Sequence, residues 1–147
     1  MSRELRIGDV AKLTATTPRT IRYYEEIGLL PSAEREPGAH RTYEEGDVER
    51  LTELLRLKDL LGISLEELKE LVSAEDARAE LRQEWRSGVE DPVRRREILE
   101  ESLGHIAKQL ELVRRRRDEI AKLEEELLAK RKRIRALIRE SAPRSAY

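Results

Sequence analysis

The stretch TPRTIRYYEEIGLLP, residues 17–31, gathers Thr17, Arg19, Thr20, Arg22, Tyr23 and Tyr24 within eight positions. A guanidinium presents a fork of N–H donors, and phenols and threonine hydroxyls both donate and accept. Helix interiors do not concentrate such groups without a polar target, so a partner outside the chain is expected to receive them. A second set, Arg35, His40, Arg41 and Tyr43, follows in PSAEREPGAHRTY. Catalytic signatures are missing: the sequence holds no nucleophile elbow, P-loop, dinucleotide fingerprint or paired-histidine metal motif, and an enzyme is not expected. With no Cys and only His40 and His105, disulfides, thiolate ligands, a thiol redox sensor and a histidine cage are excluded. Neither a cofactor nor a metal is therefore expected. No run of about 18 apolar residues and no signal-peptide core occur, which makes a cytoplasmic protein without membrane contact the expectation.

The elements that must position these groups follow from periodicity and punctuation. In LRIGDVAKLTATT, Val10, Ala11 and Leu13 can form the apolar side of a short helix with Asp9 in its first turn, where the helix dipole favours an anion. Thr17 then reads as an N-cap and Pro18 as the first residue of a second helix, ending at Gly28. Its inner face runs through Ile21, Tyr24 or Glu25, and Ile27–Leu29. Residues 31–43 read as an extended hairpin turning at Pro37-Gly38. A long amphipathic helix starts at Asp47 and repeats Val48, Leu51, Leu54, Leu55, Leu57 or Lys58, and Leu61 up to Gly62. Ser64 caps the next helix in a capping box with Glu67, and Leu65, Leu68, Leu71 and Val72 face inward. The compact N-terminal unit is expected to span residues 1–73. Residues 74–92 form an acidic helical connector with Ala77, Leu81 and Trp85 spaced by four; Trp85 reads as a packing anchor.

From Val93 to about Glu140 the chain has no Pro and a single Gly, Gly104. Alternating steps of four and three link Leu99, Leu103, Ile106, Leu110, Val113, Ile120, Leu127, Ile134 and Ile138, with Arg117, Glu124 and Arg131 in the gaps. That is a coiled-coil seam on residues 93–140, a rod of roughly 70 Å at about 1.5 Å per residue, followed by a flexible tail over 141–147. A single rod leaves its stripe in water, so the seam is expected to pair with a second copy of the chain. RRRR at 114–117 and KRKR at 130–133 spread around more than one helix face and read as solvated flanks, pairing with Glu111, Glu119 and Glu126. His105 falls beside the seam as a solvated or interfacial side chain. The net charge of −1 conceals an acidic middle, 7 basic against 15 acidic side chains in residues 44–91, and a basic end, 15 against 10 in residues 93–140. Global charge therefore does not argue against a polyanionic partner, for which a local basic face decides.

Taken together, IGDVAKLTATTPRTIRYYEEIGLLP, the HRTY element and LKDLLGISLEEL resemble, in order and spacing, the N-terminal domain of the MerR family of winged helix-turn-helix transcription regulators; the resemblance covers about residues 5–73. It implies a mainly α fold with a small β-hairpin wing and a long C-terminal dimerisation helix paired antiparallel with its twin. It implies a homodimer on an inverted repeat in double-stranded promoter DNA, altering the twist or bend of that DNA and so acting on RNA polymerase indirectly, through promoter geometry. A small-molecule effector is compatible with the resemblance and is not identified by it. The metal-sensing and redox-sensing branches rely on Cys, which is absent, and the tail is too short for a separate drug-binding domain. The chemistry of the residues agrees. Arg19 and Arg22, near a helix N-terminus, suit bidentate donation to guanine. Thr17 and Thr20 reach bases or phosphates, Tyr23 and Tyr24 donate to phosphates, and Arg35, His40, Arg41 and Tyr43 follow the flanking backbone or minor groove. Glu25 and Glu26 close the helix on its solvent or intramolecular side. The alternative is a coiled-coil structural or adaptor protein with a docking N-terminal domain, which would lack sequence-selective DNA affinity.

Overall fold

The computed structural model describes residues 4–31 and 42–143. The elements in chain order are β1 (Leu5–Arg6), α1 (Ile7–Leu13), α2 (Pro18–Glu26), β2 (Thr42–Tyr43), α3 (Glu45–Leu61), α4 (Leu65–Arg86) and α5 (Pro92–Glu140). The chain divides into two units, residues 1–109 and residues 110–147. Mainly helical structure, a minimal sheet and a long final helix agree with the fold class read from the sequence.

Local signals decide where the helices start and stop. The backbone N–H of Arg6 donates to Asp9 at 3.1 Å, that of Glu44 to Asp47 at 2.8 Å, and that of Ser64 to Glu67 at 3.3 Å, so an acidic side chain closes the first turn of α1, α3 and α4. Asp47 is thus the third residue of α3 and not its start. At the other ends, α1 and α2 close in the same way. Thr16 N–H donates to Ala11 O at 2.9 Å across Ala15, and Leu29 N–H donates to Tyr24 O at 2.9 Å across Gly28. Both pivots are left-handed, Ala15 at φ 54° and Gly28 at φ 81°, the geometry of a Schellman closure. Gly28 adopts it freely, whereas the Cβ of Ala15 crowds the following carbonyl.

The first unit packs around Val10, Ile21, Leu29, Leu51, Leu54 and Leu68, all essentially without solvent exposure. Full burial of each such aliphatic side chain stabilises the fold by about 1.5–3 kcal/mol. β1 and β2 pair antiparallel in the register Leu5↔Tyr43 and Arg6↔Thr42. The strand at Leu5–Arg6 has too few residues to show an alternating pattern, and sequence reading assigned nothing there but the approach to α1. The expected turn at Pro37-Gly38 lies outside the described residues.

A second correction concerns α4. Sequence reading ended the N-terminal unit near Ser73 and began a separate short helix in the connector, but α4 is one helix of 22 residues, Leu65–Arg86. The segment SAEDARAELRQEWR contains neither Gly nor Pro and is rich in strong helix formers, so the compositional shift to acidic residues does not interrupt it. Ala74 and Leu81 are buried on its continuation. After Gly88 at φ 92° the chain enters α5 and returns antiparallel to α4. Arg94 bonds Glu84 at 2.6 and 2.8 Å, while Gln109 donates to Leu71 O at 3.3 Å. Ile98 is buried in this hairpin, and Arg95 stacks over the half-buried Trp85, 4.4 Å from the ring centroid.

Along α5 the expected seam is the exposed side. Leu99, Leu103, Leu110, Val113, Ile120, Leu127, Ile134 and Ile138 are all solvent-exposed, Leu103 at 66%, and Ile106 is half-buried. The buried positions are Ile98 and Leu112, one register step away. Sequence periodicity found one stripe and missed the second, because Ser102, His105 and Gln109 interrupt it with polar side chains. In the second unit Leu123, Leu128 and Leu137 add to the exposed apolar surface, and Arg116 pairs with Glu119 at 3.1 Å.

Candidate nucleic-acid interface

Helix α2 has two chemically opposite sides, and its nine residues explain how. Thr17 caps it, its hydroxyl oxygen accepting from the Thr20 N–H at 3.2 Å and lying 3.0 Å from the Thr20 hydroxyl. Pro18 occupies the first turn, where its missing N–H costs nothing. At 3.6 residues per turn, Ile21, Tyr24 and Glu25 fall together on the inner side and are buried, Ile21 completely. Arg19, Arg22, Tyr23 and Glu26 then necessarily point outward, and all four are exposed.

The outward side borders an open groove of about 660 Å³ lined by Arg19, Thr20, Arg22, Tyr23, Tyr24, Glu26, Lys58 and Leu65. Neither Arg19 nor Arg22 forms an ion pair among the described residues. Two unneutralised guanidiniums, two threonine hydroxyls and a half-exposed phenol thus share one surface at a helix N-terminus, where the backbone dipole adds positive potential. Lys58 was missed as a member of this group. Sequence reading counted position 58 as an alternate of the α3 apolar face; its ammonium instead sits at the α3–α4 turn, 3.4 Å from the carbonyl of Ile63. The signal for it was weak, a Lys in the last turn of an amphipathic helix.

Two tyrosines expected on the interface lie in the interior. Tyr24 is 3% exposed, and its phenol is pushed above its ordinary range by burial first and by the negative charge of Asp59 second. Only its edge reaches the groove. Tyr43 is also 3% exposed, and its hydroxyl donates to the buried carboxylate of Glu25. That bond joins β2 to the inner side of α2, so Glu25 closes the helix intramolecularly while Glu26 stays in solvent at the groove. Both misassignments share a cause: an aromatic residue in an amphipathic pattern fits either side until the packing neighbours are known. Arg35, His40 and Arg41, expected on the wing, lie outside the described residues.

The exposed side of α2 and the exposed apolar stripe of α5 are carried by separate elements. Among the described residues no group of three or more His, Asp or Glu side chains is arranged to hold a metal ion. No helix among them is long and apolar enough to cross a membrane.

Comparison with known proteins points the same way. Residues 5–75 match the family described as MerR HTH family regulatory protein. The HTH-type transcriptional regulator YfmP of Bacillus subtilis is 40% identical over 109 residues, which are 74% of this chain and 77% of that protein. The HTH-type transcriptional regulator ZntR of Escherichia coli is 44% identical over 68 residues, 46% of this chain and 48% of that protein, so the match covers less than half of either chain. Among solved structures, a putative MerR family transcriptional regulator from Listeria monocytogenes superposes with a TM-score of 0.54 at 24% identity, covering 86% of this chain and 82% of that one; this likeness concerns the fold.

Proposed function

The chain belongs to the MerR family of helix-turn-helix regulatory proteins, and on that premise we propose that it works as a homodimer that binds an inverted-repeat operator in promoter DNA and regulates transcription by changing the twist or bend of that DNA. The observation that carries this reading is the outer side of α2, where Arg19 and Arg22 stand exposed without acidic partners among the described residues. Phosphate oxygens and the guanine edge are the acceptors such a surface fits.

In this reading Arg19 and Arg22 enter the major groove and read bases, Thr17 and Thr20 bond phosphates or base edges at the helix start, and Tyr23 and Lys58 hold the backbone. Tyr23 takes the phosphate role that its neighbour's burial denies to Tyr24. Arg35, His40 and Arg41 belong to the wing and follow the flanking backbone, while Tyr43 anchors the wing to α2 from inside. The elements up to α4 carry DNA binding, α5 dimerises along Leu99, Leu103, Ile106, Leu110, Val113, Ile120, Leu127 and Ile134, and residues 141–147 form a tail. RNA polymerase is affected through promoter geometry. Catalysis has no part in this scheme, and a DNA target implies work in the cytoplasm. The adaptor alternative leaves the unpaired arginines of α2 without a use, and the relatives are transcription regulators.

The test is fluorescence anisotropy of the full chain on duplexes tiled across the region upstream of its own gene and on duplexes drawn from a randomised library, at physiological salt. Selective binding, with a protein dependence that follows a dimer, is the expected result. Equal, weak and strongly salt-dependent binding to every duplex, or none, would overturn the reading.

A further inference from the structure

Adjacent residues on a helix point about 100° apart, so two neighbouring carboxylates can serve two different partners. Glu75 and Asp76 of α4 do this. Asp76 receives both ends of the Arg50 guanidinium, at 2.7 and 2.8 Å. The third donor of the same guanidinium, Nε, bonds the carbonyl of Leu29 at 3.0 Å, in the segment that closes α2. Glu75 accepts from Gln109 of α5 at 3.3 Å and is steadied by Arg78 at 2.9 Å and by Arg82 at 3.4 Å. The second bond of Gln109, to Leu71 O, fixes its amide against α4. A series of directed hydrogen bonds thus runs from the end of α2 through α3 and α4 to the first part of α5.

Planar, bidentate arginine–carboxylate pairs fix orientation as well as distance. Surface ion pairs contribute little stability, yet this one is placed where orientation matters most. In a dimer held by α5, the distance and angle between two recognition helices depend on how firmly each α2 is tied to its own α5. Half-sites on DNA are separated by about one helical turn, 34–36 Å, and a small rotation at the tie becomes a larger displacement at the groove.

We infer that Arg50 and Asp76 on one side of α4, with Glu75 and Gln109 on the other, are positioning residues that set the spacing at which the paired recognition helices accept two half-sites. None of the four is assigned to touch DNA. The inference rests on the dimeric DNA-binding reading above and adds to it the residues that define operator geometry.

The experiment uses the full chain and the duplex that the wild-type protein selects from a randomised library. That duplex is rebuilt with its centre lengthened or shortened by one and two base pairs, and a single half-site duplex is made as control. Arg50→Lys keeps the charge but loses the fork, Asp76→Asn keeps the shape but loses the charge, and Gln109→Leu cuts the other side. Circular dichroism melts confirm that each variant is folded. Asp76 is half exposed, so its change tests the inference even where Arg50→Lys fails to fold.

The wild-type protein is expected to discriminate against altered spacing. In each variant, affinity for the selected spacing falls by roughly three- to tenfold, a hydrogen bond to a charged group discounted for exposure. Affinity for altered spacings falls less, and half-site binding is unchanged, so spacing discrimination narrows. Losses equal across all spacings, or no change in any, overturn the inference and leave the DNA-binding reading standing. Failure of the wild-type protein to select any duplex removes that reading and this inference with it.

Discussion

Helices α2 and α5 are built on opposite plans. α2 hides its apolar residues, with Ile21 at 0% exposure, and leaves Arg19 and Arg22 without acidic partners among the described residues. α5 leaves most of its apolar seam in solvent and, near its start, ties up its cations: Arg94 reaches Glu84, Glu97 and Glu101, Arg96 reaches Glu100, and Arg95 lies on Trp85. An unneutralised cationic surface on a well-packed base awaits an anion; an exposed heptad stripe awaits another apolar stripe. What separates α2 from the start of α5 is which residues are exposed and whether the arginines there have partners.

The largest expected effect breaks the α5 side. Leu103→Asp with Leu110→Asp places carboxylates in the proposed seam, and burying an unpaired charge costs several kcal/mol. Analytical ultracentrifugation should then find monomer at concentrations where the wild type is dimeric, with the helical content of residues 4–86 largely kept. A dimer that survives both changes would move the pairing surface away from this stripe.

The next effect separates the two sets of arginines. Arg19→Ala should cost about 1–3 kcal/mol in operator binding and relax the preference at one base position. Arg94→Ala should leave the base preference unchanged and lower the melting temperature. Tyr23→Phe falls between them, weakening binding equally across sequences because a phosphate contact carries no base information. Were Arg94→Ala to relax the base preference as Arg19→Ala does, partnering would not distinguish the two regions.

A smaller effect concerns pH. The Tyr24 phenol has a raised pKa in the folded chain, so the native state holds that proton more tightly than the unfolded chain does. Its contribution is complete below the ordinary phenol value of about 10 and is lost as pH rises through the raised value. The urea midpoint should accordingly fall as pH rises above about 10, and Tyr24→Phe should flatten that decline. An unchanged slope in the variant would remove the assignment of this pH response to Tyr24.

The smallest effect compares the two Schellman closures. Ala15→Gly relieves a left-handed alanine at some entropic cost in the unfolded chain, for a net gain of about 0.5–1 kcal/mol; Gly28→Ala, at φ 81°, should lose about 1 kcal/mol although its Cβ would meet nothing closer than ordinary contact. Chemical denaturation of both variants checks the signs. Stabilisation by Gly28→Ala would contradict the φ of 81° at that residue.

What the sequence by itself determined is what local chemistry dictates. Thr17-Pro18, Ser64 with Glu67, Gly28 and Gly62 mark helix ends because caps and left-handed residues act within one turn. The period along α5 marked the exposed seam because a stripe repeated over so many turns has no other explanation. Tertiary structure alone decided which of two adjacent tyrosines is core, since Tyr23 and Tyr24 differ only in the neighbours that reach them from other elements. It also decided that Tyr43 turns inward to Glu25, that Lys58 joins the groove, and that Leu5–Arg6 pairs with Thr42–Tyr43. Each of these depends on contacts between residues distant in sequence, where propensity and period carry no information and burial settles the outcome.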